Sequence, residues 1–514
     1  MDIEDCIDTL NVGPPPEDNV CIVKTRVKHA KAKDDCGQND SVMPWTKAVY
    51  VKSWGCSHNS SDSEYMCGLL AQAGYPLVKD KEIADVWILN SCTVKTPSET
   101  TFKNDIEQGK KKGKFVVVAG CVSQAAPNEP YLKGISIIGV KQITEVVKVV
   151  EETIKGNCVR VLSHKRSENG LSAPKVRKNE LIEILAINSG CLNSCTYCKT
   201  VQARGKLSSF KIEDLVKTAK NAFEVDGCKE LWLTSEDLGA YGRDIGTCLP
   251  ELLNEIVKII PEDCMMRLGM TNPPYLLDHI EEIAQILNHP RVYTFIHLPV
   301  QAASDAVLAD MKREYTISQF MELVDYLIEN VPGIYLATDF ICAFPTETNE
   351  DFLESMDLVA KYKFPSLFIN QFYPRPNTPA AKLKKIDTKE ARRRTSAMTD
   401  LFHSYSRYNE ARIGETHRIL VCEQAADGIN LVGHNKNYEH ILVANEDNIA
   451  GKWVDVKITE VSKFGMKSVR INKPKVSENI VVGEKGDKNL NLMFMIVAAL
   501  AIFIYRFYYA SLNM

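Results

Sequence analysis

The chain has 514 residues, enough for about three domains of ordinary size. Its net charge of −4 excludes a uniformly basic nucleic-acid binder, so any such contact must use local basic patches. Hydrophobic residues make up 45% and charged residues 25%, as in globular proteins. With 16 cysteines and no recognisable secretory signal, we expect a reducing compartment, where cysteines stay free or bind metals.

Residues 1–45 are predicted to form a disordered arm. Pro14–Pro16, scattered acidic residues and weak periodicity offer too little apolar surface to bury a core.

Residues 46–155 predict a parallel α/β domain, because short apolar strands alternate with helical patterns. The first three predicted strands are Ala48–Val51, Val86–Leu89 and Phe115–Ala119. A cysteine follows each strand: Cys56, Cys92 and Cys121. Because the carboxyl ends of parallel strands share one edge of a sheet, these cysteines are expected to meet and hold a metal cluster. The alternative is three unrelated buried cysteines, since buried cysteines are common.

A polar linker over 156–179 leads to a domain over 180–411 that contains six strand–helix pairs. Its predicted strands are Leu181–Asn188, Glu230–Ser235, Met265–Met270, Thr294–Val300, Tyr335–Ile341 and Ser366–Phe372. Six such repeats predict a partial (β/α)6 barrel with its active site at the carboxyl ends of the strands.

Cys191, Cys195 and Cys198 lie at C-x3-C-x2-C spacing just after the first barrel strand. Three thiolates on one loop can bind three irons of a four-iron cluster and leave the fourth iron open, as a catalytic site requires. The alternatives are a zinc knuckle without its fourth ligand, although zinc motifs more often repeat C-x2-C pairs, and three unrelated cysteines.

Short alternating strands over 412–473 predict a small β-barrel with basic exposed positions. Such barrels often bind RNA, and a barrel with no nucleic-acid role is the alternative. A basic run over 382–394 is a further candidate for phosphate contacts, or else a solvated helix face. Its members are Lys382, Lys384, Lys385, Lys389, Arg392, Arg393 and Arg394.

A charged linker over 474–489 precedes an apolar segment over 490–510 with one arginine near its end. Its 21 residues and its tyrosines predict a single C-terminal transmembrane helix. A terminal core helix is the alternative.

The cysteine loop, with Tyr197 before its last cysteine, resembles the radical S-adenosylmethionine (SAM) superfamily. Over about residues 46–472 the chain also resembles the methylthiotransferases of that superfamily. The matching motifs are Trp54-Gly-Cys56-Ser-His-Asn-Ser-Ser-Asp62, Leu89-Asn-Ser-Cys92, Ala119-Gly-Cys121, Gly190 to Cys198, Met270-Thr-Asn-Pro-Pro274, His297-Leu-Pro-Val-Gln301 and Gln371-Phe-Tyr-Pro-Arg-Pro376. Two segments, Cys198–Gly205 and Leu233–Asp237, resemble the eukaryotic tRNA threonylcarbamoyladenosine branch of the family.

This resemblance implies two [4Fe–4S] clusters and SAM as cofactors. Cys191, Cys195 and Cys198 would hold the radical cluster, and Cys56, Cys92 and Cys121 a second cluster that supplies sulfur. Candidate SAM contacts are Glu236 for the amino group, Tyr197 near the adenine, and Gln301. The product would be 2-methylthio-N6-threonylcarbamoyladenosine, formed 3′ of the tRNA anticodon by sulfur insertion at adenine C2 and SAM-dependent methylation.

The implied partners are a tRNA carrying threonylcarbamoyladenosine, an electron donor and, through the C-terminal anchor, a lipid bilayer. We expect a monomer at the endoplasmic reticulum membrane with cytosolic catalytic domains and a TRAM-like small barrel. Two rival hypotheses are the same chemistry on isopentenyladenosine and a non-catalytic, membrane-tethered RNA-binding protein whose cysteines bind zinc.

Two loops depart from the family pattern. Ala343-Phe-Pro-Thr346 replaces Gly-Phe-Pro-Gly, and Asn377 stands where the family has glycine. Glycine accepts positive φ freely, asparagine tolerates it, and threonine adopts it only with strain. The geometry of these loops is therefore a question for the structure.

Overall fold

The computed structural model describes residues 43–93, 96–163 and 171–471. Most of the predicted disordered arm, residues 1–42, lies outside these ranges. A short 3-10 turn, Pro44–Thr46, lies just before the first strand.

The N-terminal domain is a five-stranded parallel sheet whose strands lie in chain order. The strands are β1 (Val49–Ser53), β2 (Val86–Ser91), β3 (Phe115–Gly120), β4 (Ser136–Ile138) and β5 (Arg160–Val161). The helices are α1 (Ser57–Gln72), α2 (Thr96–Lys111), α3 (Cys121–Ala125) and α4 (Val146–Ile154). Every residue of β2 is buried, which explains its unbroken apolar run.

β5 lies within the stretch that the sequence assigns to a linker, and it pairs in parallel with β4. The later part of that stretch is packed as well. Lys175 Nζ lies 2.6 Å from Glu183 of the first barrel strand and 3.6 Å from Glu64 of α1. The described parts of the connector, residues 156–163 and 171–179, therefore include segments that pack against the two domains.

The central domain contains six parallel strands in two three-stranded sheets. The strands are β6 (Ile182–Ala186), β9 (Glu230–Thr234), β10 (Met265–Leu268), β11 (Phe295–His297), β12 (Tyr335–Cys342) and β13 (Ser366–Gln371). Isolated parallel bridges, Met266 to Val292 and Met270 to His297, join the two sheets. The result is the open six-stranded barrel that the strand–helix repeats predict.

Two short strands, β7 (Asn188–Ser189) and β8 (Ser208–Ser209), form an antiparallel pair beside the barrel. The helices of this domain are α5 (Thr200–Arg204), α6 (Ile212–Glu224), α7 (Leu249–Ile259), α8 (Pro273–Leu277), α9 (Ile280–Asn288), α10 (Asp305–Asp310), α11 (Ile317–Asn330), α12 (Asn349–Tyr362) and α13 (Thr388–His403). Their apolar faces and the strands enclose the largest core of the described chain.

The C-terminal strands close into a small barrel in the order β14-β15-β16-β18-β17. They are β14 (Thr416–Gln424), β15 (Asn430–His434), β16 (His440–Ala444), β17 (Trp453–Val461) and β18 (Met466–Arg470). Sequence reasoning missed β15, because its apolar run of two residues is too short to show alternation.

The prediction of a C-terminal transmembrane helix is wrong. Within the described ranges the longest helices have 16 residues, and none is long and apolar enough to cross a bilayer. A span needs about 20 apolar residues. The predicted bilayer partner and endoplasmic reticulum location rested on this helix and are corrected with it. The segment 490–510 itself lies outside the described residues.

Candidate active site

The C-x3-C-x2-C loop begins where β7 ends and is closed by the pairing of β7 with β8. Gly190 enters the loop with φ of +85°, and a Cβ there would lie 2.3 Å from the carbonyl oxygen of Lys206. Only glycine fits this close approach of two backbone segments. The loop is thus held as a compact turn that brings three cysteines together.

Protein groups surround the thiols of this loop. Arg313 donates from Nη1 to Sγ of Cys195 at 3.2 Å. The backbone N–H of Thr200 donates to Sγ of Cys198 at 3.4 Å. Burial is the main reason that the pKa values of the Cys191 and Cys195 thiols are raised. Bound iron would displace the thiol protons, and Arg313 would then offset part of the thiolate charge.

The second cysteine set lies at the carboxyl edge of the N-terminal sheet, as the strand pattern predicts. Cys56 caps α1, Cys92 follows β2 and Cys121 begins α3. Gly55 has φ of +98°, and a Cβ there would lie 2.4 Å from Sγ of Cys92. Burial raises the pKa of the Cys121 thiol to about 12, and the same cause raises that of Cys56. The three thiols influence one another electrostatically, so the fold brings them together.

A buried arginine from the radical-cluster domain reaches this second set. Arg204, at the end of α5, is 2% exposed and donates to Asn59 at 2.6 Å and to Asp62 at 2.7 Å. Its Nη1 is buried and makes no hydrogen bond within the described structure. Its charge opposes the burial that raises the pKa of Cys121. An unsatisfied cationic N–H beside three thiols fits an anionic cluster at this position.

Glu236 links the two cysteine sets. One carboxylate oxygen accepts from the N–H of Gly190 at 2.9 Å, next to the radical loop. The other lies 3.0 Å from Nε of Arg204 and 2.8 Å from Nδ1 of His58. Burial alone would raise the pKa of Glu236, but His58, Arg204 and the Gly190 hydrogen bond lower it to about 2.

The chain is similar to known proteins along most of its length. Family models match residues 48–136 (Uncharacterized protein family UPF0004), 185–359 (Radical SAM superfamily) and 410–467 (TRAM domain). A threonylcarbamoyladenosine tRNA methylthiotransferase from Drosophila melanogaster is 58% identical over 83% of this chain and 78% of its own length. The Homo sapiens relative of the same name is 52% identical over 89% and 80%. The chain belongs to the threonylcarbamoyladenosine tRNA methylthiotransferase family.

Membership makes the chain a radical SAM enzyme, as the cysteine loop indicates. Among solved structures, the radical SAM methyltransferase TsrM from Kitasatospora setae aligns with a TM-score of 0.48 at 15% identity. That alignment covers 65% of this chain and 75% of the other.

Two residues predicted to contact SAM, Tyr197 and Gln301, lie in the central domain. Tyr197 is buried, and its ring meets Phe344 edge-on with centroids 6.5 Å apart. Gln301 follows β11, has φ of +72° and bridges to Phe340 of β12. A positive φ is uncommon for a residue other than glycine. Their roles toward SAM stay predictions.

The two loops that depart from the family pattern have backbone angles that their residues can adopt. Ala343 and Asn377 have φ of +60° and +66°, so they keep the backbone that glycine would favour. Thr346 is not among the described residues with positive φ, so its substitution needs no strained backbone. The N–H of Ala343 donates to Glu347, which Arg394 contacts in turn at 2.7 Å.

Sequence reasoning gave no role to Arg313, Arg204 or Asp237. Arg313 comes from a loop 118 residues after Cys195, and nothing local in the sequence marks it. Asp237 accepts from the backbone and side chain of Asn272 at 3.0 and 2.7 Å, while burial raises its pKa to about 6. Arg204 lies within the segment Cys198–Gly205, and the resemblance of that segment to the family was the only indication in the sequence that Arg204 is functional.

The basic surface is smaller than the sequence suggests. Lys463 donates to the backbone carbonyl oxygens of Phe402 and Tyr405. Lys467 pairs with Glu460, and Arg470 pairs with Asp447. Arg394 is buried against Glu347 and Glu390 and is therefore structural, which corrects its predicted phosphate contact. The start of the run lies near the cysteine loop, because the Ala380 N–H donates to the carbonyl oxygen of Thr196 at 3.0 Å. The exposed members of the run are Lys382, Lys384, Lys385, Lys389, Arg392 and Arg393, of which Arg393 pairs with Glu390.

Proposed function

We propose that this chain methylthiolates N6-threonylcarbamoyladenosine 3′ of the tRNA anticodon, giving the 2-methylthio product. The observation that carries the proposal is the buried Arg204–Glu236 pair, which links two three-cysteine sites on one chain. One site alone would suit any radical SAM enzyme. A second cysteine site beside the first is what sulfur insertion requires.

The cofactors are two [4Fe–4S] clusters and SAM. Cys191, Cys195 and Cys198 would hold the first cluster, and Cys56, Cys92 and Cys121 the second. When bound, these groups supply a radical able to take hydrogen from the unactivated C2–H of adenine, the sulfur that replaces it and the methyl group. Because both sites lie on one chain, a monomer suffices, and a separate donor must supply electrons.

The side chains around the two cysteine sites would stabilise the negative charge of the thiolates and position the cysteine loop. Arg313 would stabilise the thiolate of Cys195 through its hydrogen bond of 3.2 Å. Arg204 does the same for the buried set that contains Cys121. Glu236 is already engaged by His58, Arg204 and a backbone N–H, so we reassign it from binding the SAM ammonium to positioning Arg204 and the loop at Gly190.

The tRNA would lie across the small barrel and the exposed lysines beside the cysteine loop. Lys452 and Lys457 of the barrel are exposed, as are Lys384 and Lys385 of the basic run. Such groups contact phosphates and shape and carry no sequence information. Selection of the modified adenosine would then occur at the barrel mouth.

Nucleoside mass spectrometry of tRNA from cells lacking the protein tests this function. We expect loss of 2-methylthio-N6-threonylcarbamoyladenosine, accumulation of its unmethylthiolated precursor, and rescue by the wild-type chain. Loss of the methylthiolated isopentenyladenosine with the threonylcarbamoyl product intact would refute the substrate. Zinc in place of iron at the cysteines of anaerobically purified protein would refute the radical chemistry.

A further inference from the structure

A second set of metal-binding side chains lies in the small barrel, on three consecutive strands. Glu423 belongs to β14, His434 ends β15 and His440 begins β16. Each offers one ligand atom, and the three atoms lie within 4.8 Å of one another. His434 and His440 are directly opposite in the antiparallel register, with ring centroids 4.8 Å apart.

The two rings lack the hydrogen bonds that buried imidazoles need. His434 is 0% exposed, and neither of its ring nitrogens makes a hydrogen bond within the described structure. Nε2 of His440 is also buried without such a partner. Leaving a buried polar atom unsatisfied costs about 1–3 kcal/mol, so the unpaired Nε2 atoms of the two histidines call for a ligand.

A second carboxylate, that of Glu230, lies on the other side of the His434 ring from Glu423. Oε1 of Glu230 lies 3.8 Å from Nδ1 of His434, while Oε1 of Glu423 lies 3.8 Å from Nε2. Glu230 is itself held by Tyr293 at 2.6 Å and by Trp232 at 2.7 Å. A carboxylate behind a histidine that keeps its other nitrogen free for a metal is the usual arrangement of zinc sites.

We propose that Glu423, His434 and His440 bind one zinc-class divalent cation, with Glu230 orienting His434. Two imidazoles and a carboxylate suit zinc, whereas magnesium and calcium prefer ligand sets made of oxygen alone. Bonds of about 2.0 Å in a tetrahedral site place ligand atoms about 3.3 Å apart, so atoms that lie within 4.8 Å of one another must close by up to roughly 1.5 Å. Glu423, whose side chain is 20% exposed, has room to make that movement.

The surrounding charges are compatible with this ion. Arg267 is buried and opposes a cation, but Glu423 and Glu230 provide two negative charges against its one. Arg267 is directed over the rings of Trp232 and Tyr438, 4.7 and 5.0 Å from their centroids.

The site would be structural. It ties three barrel strands together and touches Glu230, the first residue of β9, whereas Glu236 follows the opposite end of that strand. The ion would therefore lie at the opposite end of β9 from the cysteine sites and would stabilise the packing of the small barrel under the central one.

Zinc K-edge X-ray absorption on the full-length, cluster-loaded protein tests the proposal, because it reports zinc without interference from iron. Protein is incubated anaerobically with zinc chloride, desalted and analysed for zinc and iron. We expect about one zinc per chain with nitrogen and oxygen ligands near 2.0 Å. His440→Gln and Glu423→Gln should lose it at least tenfold, with iron content unchanged.

His279→Gln is the matched control, since His279 also lies near a carboxylate, 3.7 Å from Glu282, but outside the cluster. It should retain zinc, and zinc should raise the thermal midpoint of wild type and this control but not of His440→Gln. Three results would overturn the proposal: no retained zinc in wild type, sulfur-only ligation near 2.3 Å, or equal retention in His440→Gln. None depends on tRNA modification, so failure here leaves the proposed function standing.

Discussion

The guanidinium of Arg204 donates to the carboxylate of Asp62 at 2.7 Å, across the boundary between the radical-cluster domain and the N-terminal domain. Both side chains are buried or nearly so. The same arginine approaches Cys121 and Glu236, so one side chain fixes the domain interface and the electrostatic environment of the second cysteine set.

Arg204→Met should destabilise the protein because it leaves the buried Asp62 and Glu236 carboxylates without their cation. Loss of one partner of a buried pair costs about 3–5 kcal/mol. We expect the apparent thermal midpoint, followed by circular dichroism, to fall by several degrees. The matched variant Arg243→Met removes an exposed pair with Asp278 and should cost less than about 1 kcal/mol. Equal shifts for the two variants would contradict the role of Arg204.

Gly55→Ala should remove the second cluster and spare the first. The new Cβ would lie 2.4 Å from Cβ and Sγ of Cys92, at a backbone φ of +98° that alanine resists. Iron per chain should fall from about eight to about four. Gly113→Ala is the control, because φ there is +65° and nothing lies within 4 Å of the new Cβ. This control has the backbone strain of alanine at positive φ but no steric clash, so its iron content should stay at the wild-type value.

The two cysteine sets should separate by function when each is mutated alone. Cys195→Ala should abolish SAM cleavage and product, because it removes a ligand of the open-iron cluster. Cys92→Ala should keep SAM cleavage, measured as 5′-deoxyadenosine, but yield no methylthiolated nucleoside. Product from the Cys92 variant would disprove the second cluster.

Lys384→Ala with Lys385→Ala should weaken tRNA binding through phosphate contacts. Each lost contact reduces the slope of log K against log salt by about 0.7–0.9, so we expect a decrease of roughly 1.5. Filter binding at several salt concentrations measures it. Lys217→Ala with Lys220→Ala, which removes two exposed lysines of α6, should leave the slope unchanged. An unchanged slope in the first variant would place the tRNA elsewhere.

Much of the architecture was predictable because its signals are local in the chain. Strand–helix alternation gave the parallel sheet and the six-stranded barrel, and the ends of β1, β2 and β3 placed Cys56, Cys92 and Cys121 on one edge. The predicted membrane helix was wrong, because no helix within the described ranges is long and apolar enough to cross a bilayer. β15 was missed because five residues with one glycine carry little periodicity.

The sequence by itself determined which cysteines share a loop or a sheet edge, because short spacing and strand direction fix those positions within the chain. Only the tertiary structure decided what faces them. Arg204 meets Asp62 across 142 residues, and Arg313 meets Cys195 across 118. His434 meets Glu230 across two domains. Such contacts depend on how whole elements pack, and no pattern within a segment encodes them.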